Sequence, residues 1–287
     1  PWRALLSVLT VTALAALALA PAAGATDVTF KTARVAAPGN AAVSLVPFTD
    51  ALYATCSAAP QTKAGCVTVG AVPKAYGIGE LEVSVAQWVT FLNAVDPTGR
   101  DPHDLYDSSE SSASWPRFGQ INVSSSARRG HKYRVGYPQW ADKPYGFATF
   151  LRAARFVNAM NNGKLLSRTA STQGGFSFIT YKVHLSRDTE RGMYDLARNK
   201  RTGATRARKK GFVVPSQDEW IKAAYFDPSG GGTLSYWKYP TNPGTFGAGT
   251  TDAPAATTLA AGTGDVTNAA TQPVATYKPD SGPTPAW

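Results

Sequence analysis

Apolar residues recur at helical spacing in three stretches of the chain, and each stretch has its own start and stop. After Ser84, the side chains of Val85, Trp88, Leu92 and Val95 fall on one helical face. Ser84 and Gln87 make a capping box there: the hydroxyl accepts an orphaned N–H and the amide reaches back to the cap. Asp96-Pro97 ends the helix, because the residue before a proline is pushed out of the helical region. A second run, about Thr149 to Asn161, lines up Phe150, Ala153, Ala154, Val157 and Met160, with Gly163 expected as its left-handed stop. A third begins at Ser216, paired with Glu219 in another capping box. Trp220, Ala223 and Ala224 are expected on its inner face, and Asp227-Pro228 at its end.

Between these helices the pattern shortens. Val28–Val35, Tyr76–Glu82, Lys132–Val135, Gly175–Val183 and Gly211–Val214 read as strands or strand fragments. Glycine- and proline-rich loops, notably Gly230–Gly232 and Pro240–Gly249, fill much of the rest. Few helices, short strands and long loops predict an α+β fold. Trp88, Phe91, Leu92, Trp220 and Tyr225 are read as core rather than site.

The N-terminus follows a different grammar. Arg3 precedes an apolar run from Ala4 to Ala20, interrupted only by Ser7, Thr10 and Thr12; Pro21 breaks it, and Ala23-Gly24-Ala25 supplies the small residues of a cleavage site. Residues 1–25 therefore read as a secretory signal, with export to the periplasm or the extracellular space. The alternative is a membrane anchor, for which the run is near the lower length limit; no membrane span is expected after signal cleavage. Residues 26–287 suffice for one large domain or two small ones.

Two cysteines, Cys56 and Cys66, flank a short flexible segment. In an oxidising compartment a loop-clipping disulfide is the favoured reading. A redox or metal pair is the alternative, although the spacing is not C-x-x-C and no histidine follows. The net charge of +10 is uneven: seven Lys or Arg lie between Arg198 and Lys210, and Arg128, Arg129, His131, Lys132 and Arg134 form a smaller group. Such clusters can hold phosphates, but no aromatic residues interleave the longer run as a stacking platform requires. It is read as a solvated loop, and no nucleic-acid partner is expected.

Chemistry-bearing residues are sparse. His103, His131 and His184 stand apart in polar stretches and are read as surface residues. Asp101–Asp107 (DPHDLYD) offers oxygen ligands for calcium without the spacing of an EF-hand loop, so a turn is favoured. Asp218 and Glu219 could be general acids, but their place in a first helical turn suits dipole complementation better.

Several segments together resemble the formylglycine-generating enzyme, or sulfatase-modifying factor, family. YGIGELEVSVAQWVTFLNAV (Tyr76–Val95) resembles that family's IGKYEVT-NAQY-FLNAV phrase, and KPYGFATFLRAARFVNAMNNG (Lys143–Gly163) its P-V-VSW-DAARFANWL-NG phrase. RDTERGMYDL (Arg187–Leu196) is similar to ETGAYTL, and FVVPSQDEWIKAAYFDP (Phe212–Pro228) to RLPSEDEWYKAAYYDP. SYWKYPTNP and GDVTNAATQPVATY follow in the family's order, and VTFKTARVAAPGNAA resembles a phrase of secreted members. Departures are Val213, where the family often has Arg, and Phe150, Arg152 and Ala159 in place of Trp, Asp and Trp.

The resemblance implies a formylglycine-generating-enzyme-like, C-type-lectin-like fold over 26–287, with a Cys-containing insertion at about 44–70. It also implies oxidation of a protein cysteine to formylglycine by two copper-binding cysteines; calcium is the family's other metal. Those cysteines follow a GGNVWEW phrase that does not occur in residues 1–287. Cys56 and Cys66 precede the core motifs and do not correspond to them. No copper or calcium ligand is assignable, and the chain itself is expected to be inactive as an oxidase. The other expectation is a non-catalytic, lectin-like module for a glycan, peptide or surface partner. The candidate binding loop holds Tyr236, Trp237, Tyr239 and Asn242.

Overall fold

The computed structural model describes residues 26–45, 67–114, 120–198, 205–226 and 236. Its strands are β1 (Asp27–Val35), β2 (Val43–Leu45), β3 (Val67–Val69), β4 (Tyr76–Gly79), β5 (Ile121–Val123), β6 (Tyr133–Val135), β7 (Lys164–Gln173) and β8 (Phe176–His184). The helices are α1 (Val85–Val95), α2 (Phe150–Asn161) and α3 (Gln217–Tyr225). A four-stranded antiparallel sheet in the order β4-β1-β8-β7 is accompanied by the pairs β2–β3 and β5–β6. This is a mixed α+β fold with few helices and antiparallel sheets. Among the described residues no helix is long and apolar enough to cross a membrane.

The caps written in the sequence form as expected. At α1 the Ser84 hydroxyl accepts from the Gln87 N–H at 3.2 Å, and the Ser84 N–H donates to Gln87 Oε1 at 2.9 Å. Asp96 closes the helix by donating its N–H to the Leu92 carbonyl at 2.8 Å. Ser84→Ala removes an acceptor that the backbone cannot replace, and is expected to lower stability by about 1 kcal/mol in chemical denaturation. Ser216 and Glu219 repeat the arrangement at α3.

Behind α1 lies the main core. Trp88, Phe91 and Leu92 of α1 pack with Phe156 and Met160 of α2, Val28 of β1, and Ile121 and Tyr133 of the β5–β6 pair. Trp88 stacks on Tyr145 at 4.4 Å and on Phe156 at 5.6 Å between ring centroids, and its indole N–H donates to the Leu105 carbonyl at 3.4 Å.

Several expectations are corrected. Trp220 is 50% exposed, not an inner-face residue. The buried stripe of α3 is Ile221, Lys222 and Ala223, because Lys222 runs inward to donate from Nζ to the Ala37 carbonyl at 2.7 Å. Phe150 is likewise exposed, its ring against Tyr194. Gly163 is not in the left-handed region: α2 is capped by Asn162 in right-handed helical geometry. Glycine is needed at 163 because a Cβ there would collide with the His184 carbonyl. The strand expected over Tyr76–Glu82 stops at Gly79, and α3 gives way to extended backbone at Phe226, just before Asp227-Pro228.

No strand forms at Gly211–Val214; side chains take the place of a partner strand. Asn161 donates to the Phe212 carbonyl at 2.8 Å and accepts from its N–H at 2.9 Å, while the Tyr194 hydroxyl accepts from the Val214 N–H at 3.0 Å. Asn158 does the same for the preceding loop, donating to the carbonyls of Thr189 and Tyr194 and accepting from the Tyr194 N–H. Asn162 donates to the carbonyls of Asp188 and Arg191. Three amides on one end of α2 therefore mimic backbone and hold Asp188, Thr189, Arg191, Tyr194 and Phe212 against it.

Candidate functional site

The four-stranded sheet carries a concavity of about 680 Å³ on one face. Strand register determines its lining, since directly opposed residues share a face and alternate residues return to it. One rung aligns Phe30, Tyr181 and Arg168, and the next Thr32, Ile179 and Ala170; beyond them Arg34 opposes Gly77 and Thr172 opposes Ser177. At the Val28–Val183 end this face is buried under α1. Toward Arg34 it opens, with Ala170, Thr172 and Ser177 exposed. Thr32 forms the buried floor and donates its hydroxyl to the Ile179 carbonyl at 3.2 Å. Gly77 keeps one end of the hollow low, as a Cβ there would come within 3.2 Å of the Thr32 hydroxyl. The Arg168 guanidinium lies 6.0 Å from the centre of the Tyr181 ring. The hollow thus offers the Tyr181 ring, hydroxyls and the Arg34 guanidinium, with Arg168 beside Tyr181, a set able to bind polar or anionic groups by hydrogen bonding and stacking.

A second chemical cluster is buried. Glu110 is fully inaccessible. Its Oε1 accepts from the Tyr145 hydroxyl at 3.0 Å and from the Asp107 N–H at 3.1 Å, and its Oε2 has no partner. Burial pushes this carboxyl up to about 7, against the pull of those hydrogen bonds and of the nearby Arg152 charge. Arg152 donates to the Asp104 carbonyl at 2.7 Å, the Phe147 carbonyl at 3.0 Å and Asp104 Oδ1 at 3.0 Å. The charge that departs from the family phrase therefore fastens the DPHDLYD loop onto α2. In the same loop Asp101 caps the Leu105 and Tyr106 N–H groups. Asp96 accepts from the Asp101 N–H and the Tyr133 hydroxyl. Burial would raise Asp96, but these hydrogen bonds hold it below the usual carboxylate range. The acidic loop is thus a turn, and among the described residues no group of three or more His, Cys, Asp or Glu is placed to hold a metal ion.

Of the expected binding loop, Tyr236 is described; Trp237, Tyr239 and Asn242 lie outside the described residues, as do Cys56 and Cys66. The segment that holds the cysteines leaves from Leu45 and returns at Val67, which pair as β2 and β3. The Tyr236 hydroxyl sits within 2.9 Å of the Ala41 and Gly70 carbonyls and accepts from Asn40 Nδ2 at 2.7 Å; its ring packs on Phe226. That anchors the residue to the loops flanking the β2–β3 pair; it is not itself among the residues lining the sheet concavity. Glu219 is engaged by Arg206 through two nitrogens as well as by the cap, and Asp218 accepts from the Gly70 N–H at 2.8 Å. His103 meets Glu190 at 3.4 Å, and His184 meets Asp27 at 2.8 Å.

Sequence reasoning missed β7 and with it one wall of the hollow. The signal was the Gly174-Gly175 pair directly before the Phe176–His184 strand: both residues have positive φ, +57° and +83°, as a two-residue hairpin turn requires. No family model matches the chain, and neither does any curated protein or solved structure.

Proposed function

We propose that this chain is an exported, sulfatase-modifying-factor-type domain that works as a lectin-like binding module, with the sheet concavity as its ligand site. The observation that carries the binding reading is the hollow itself: Arg34, Tyr181 and exposed hydroxyls gathered over a floor of small side chains, with Arg168 next to Tyr181 on the neighbouring strand. The family reading draws support from position. The segments resembling family phrases supply α1, α2 and α3 with their caps, and the first two supply Trp88, Phe91 and Phe156 to the main core. The N-terminal signal grammar supports export.

Two measurements on the whole chain test this. On an array of glycans and peptides, the Arg34→Glu/Tyr181→Ala double variant is expected to lose affinity for the bound class by about tenfold or more, as removal of a charge-assisted contact and a stacking wall implies. Equal binding by the variant and the parent would remove the concavity as the site. Incubated with copper and a cysteine-containing sulfatase peptide, the chain is expected to produce no formylglycine; conversion of the peptide would replace the module reading with the oxidase.

A further inference from the structure

Strand β7 borders the hollow and is exposed at all ten positions. It hydrogen-bonds to β8 on one side and is the outer strand of the sheet among the described residues. Alternate residues along such an edge aim their N–H and C=O groups outward, where another extended chain can take them up. Natural edge strands are commonly guarded by proline, inward-pointing charge or shortness. β7 is long and lacks proline; its guards, Lys164, Arg168 and a bulge at Leu165–Ser167, lie in its first half, and Thr169–Gln173 carry none.

The charges give the occupant its sign. On the face with the hollow, the four strands carry Arg34 and Arg168 and no acidic side chain. Their single acidic residue, Asp27, belongs to the opposite face, where it meets Lys182 and His184. A strand added along β7 would set every second side chain over the hollow, beside Arg168 and in reach of the positive field around Arg34. A second copy of this chain fits less well, because it would bring the same two cations and a further net charge of +10 to the edge.

We infer that β7 is a docking edge for an extended acidic peptide, which joins the sheet as a fifth strand and places its carboxylates over the concavity. This rests on the binding-module reading above and names its partner.

The test uses the whole chain and a fluorescent peptide of alternating Glu and Thr, as long as β7, followed by anisotropy. Two N-methylated versions accompany it, one methylated on the even residues and one on the odd. Binding is expected for the parent peptide and for one methylated version, and is expected to vanish for the other, because only one edge of the added strand faces β7. Arg168→Glu should weaken the parent peptide by about tenfold. Equal binding of all three peptides would reveal attraction between charges without strand addition and would overturn the inference. So would a concentration-dependent dimer that excludes the peptide, which would give the edge to a second copy. A neutral oligosaccharide that binds in an Arg34- and Tyr181-dependent way, with no peptide bound, would also overturn it while leaving the module reading in place. The methylation arms use unmutated protein, so the outcome does not depend on the variant folding.

Discussion

Trp88→Ala is expected to remove about 3–5 kcal/mol of folding stability, the range for truncating a large buried aromatic side chain. Trp88 is 2% exposed, lies between Tyr145 and Phe156, and also meets the Phe91 ring at 4.9 Å. Removing it leaves a cavity bounded by two helices and the Tyr145 segment, which cannot all close on it at once. The Leu105 carbonyl also loses its indole donor. Since domains of ordinary stability hold only about 5–15 kcal/mol in total, the variant should show a large fall in denaturant midpoint. Trp220→Ala is the matched control: its side chain is half exposed and leans on Tyr225, so a change within about 0.5 kcal/mol is expected. Equal losses at the two tryptophans would contradict the packing described.

The second large effect is a pH dependence centred on Glu110. An acid whose folded-state pKa is raised binds more protons folded than unfolded, so it opposes folding increasingly as pH rises from the unfolded value toward the folded one. For Glu110 the window runs from 4.5 to about 7. Above it the ionised carboxylate, buried with one oxygen unpartnered, costs about 3 kcal/mol relative to its protonated form. Glu110→Gln abolishes the titration while keeping an acceptor for Tyr145 and the Asp107 N–H. The stability difference, variant minus parent, is therefore expected to grow by about that amount between pH 4.5 and 8. Asp96, Glu190 and Glu219, all held low, contribute stability that is lost as pH falls below the usual carboxylate range; they cancel in the difference. A difference independent of pH, followed by chemical denaturation of both proteins, would place Glu110 in contact with water.

How legible this fold was depended on the range of each interaction. The ends of α1 and α3 are decided by residues three apart, and Ser84, Gln87, Ser216 and Glu219 stand where the sequence puts them. Which tryptophan is buried is not local. Trp88 and Trp220 each follow a serine cap in a helix with an apolar stripe, and only the assembled structure shows that Lys222, not Trp220, turns inward on α3. The same holds for Arg152: read along the chain it is a cation on a helix, but in three dimensions it is the fastening of a loop 48 positions away. β7 was missed because its residues are mostly small and polar, so it lacked the apolar alternation by which strands are recognised. The concavity inherited that gap, since seven of its twelve lining residues come from the β7–β8 hairpin.

Asn162, the last of the three asparagines at the end of α2, also bears on how this molecule is expected to age. Asn162 is followed by Gly163, and a glycine nitrogen is the least hindered nucleophile for a preceding asparagine: it attacks the side-chain carbonyl carbon, ammonia leaves, and water opens the resulting succinimide to aspartate or isoaspartate. While the fold is closed, both reactants are occupied. The Asn162 amide donates to the Asp188 and Arg191 carbonyls at 2.9 and 2.6 Å, and the Gly163 N–H donates to Met160. Each local opening of the 188–191 loop frees the amide. Once converted, position 162 presents a carboxylate to two carbonyl oxygens where it formerly offered two protons, and the loop has nothing to return to. Conversion at Asn162 is therefore expected to be irreversible and to follow the frequency of loop opening, with a mass gain at this residue on prolonged incubation as the measurement.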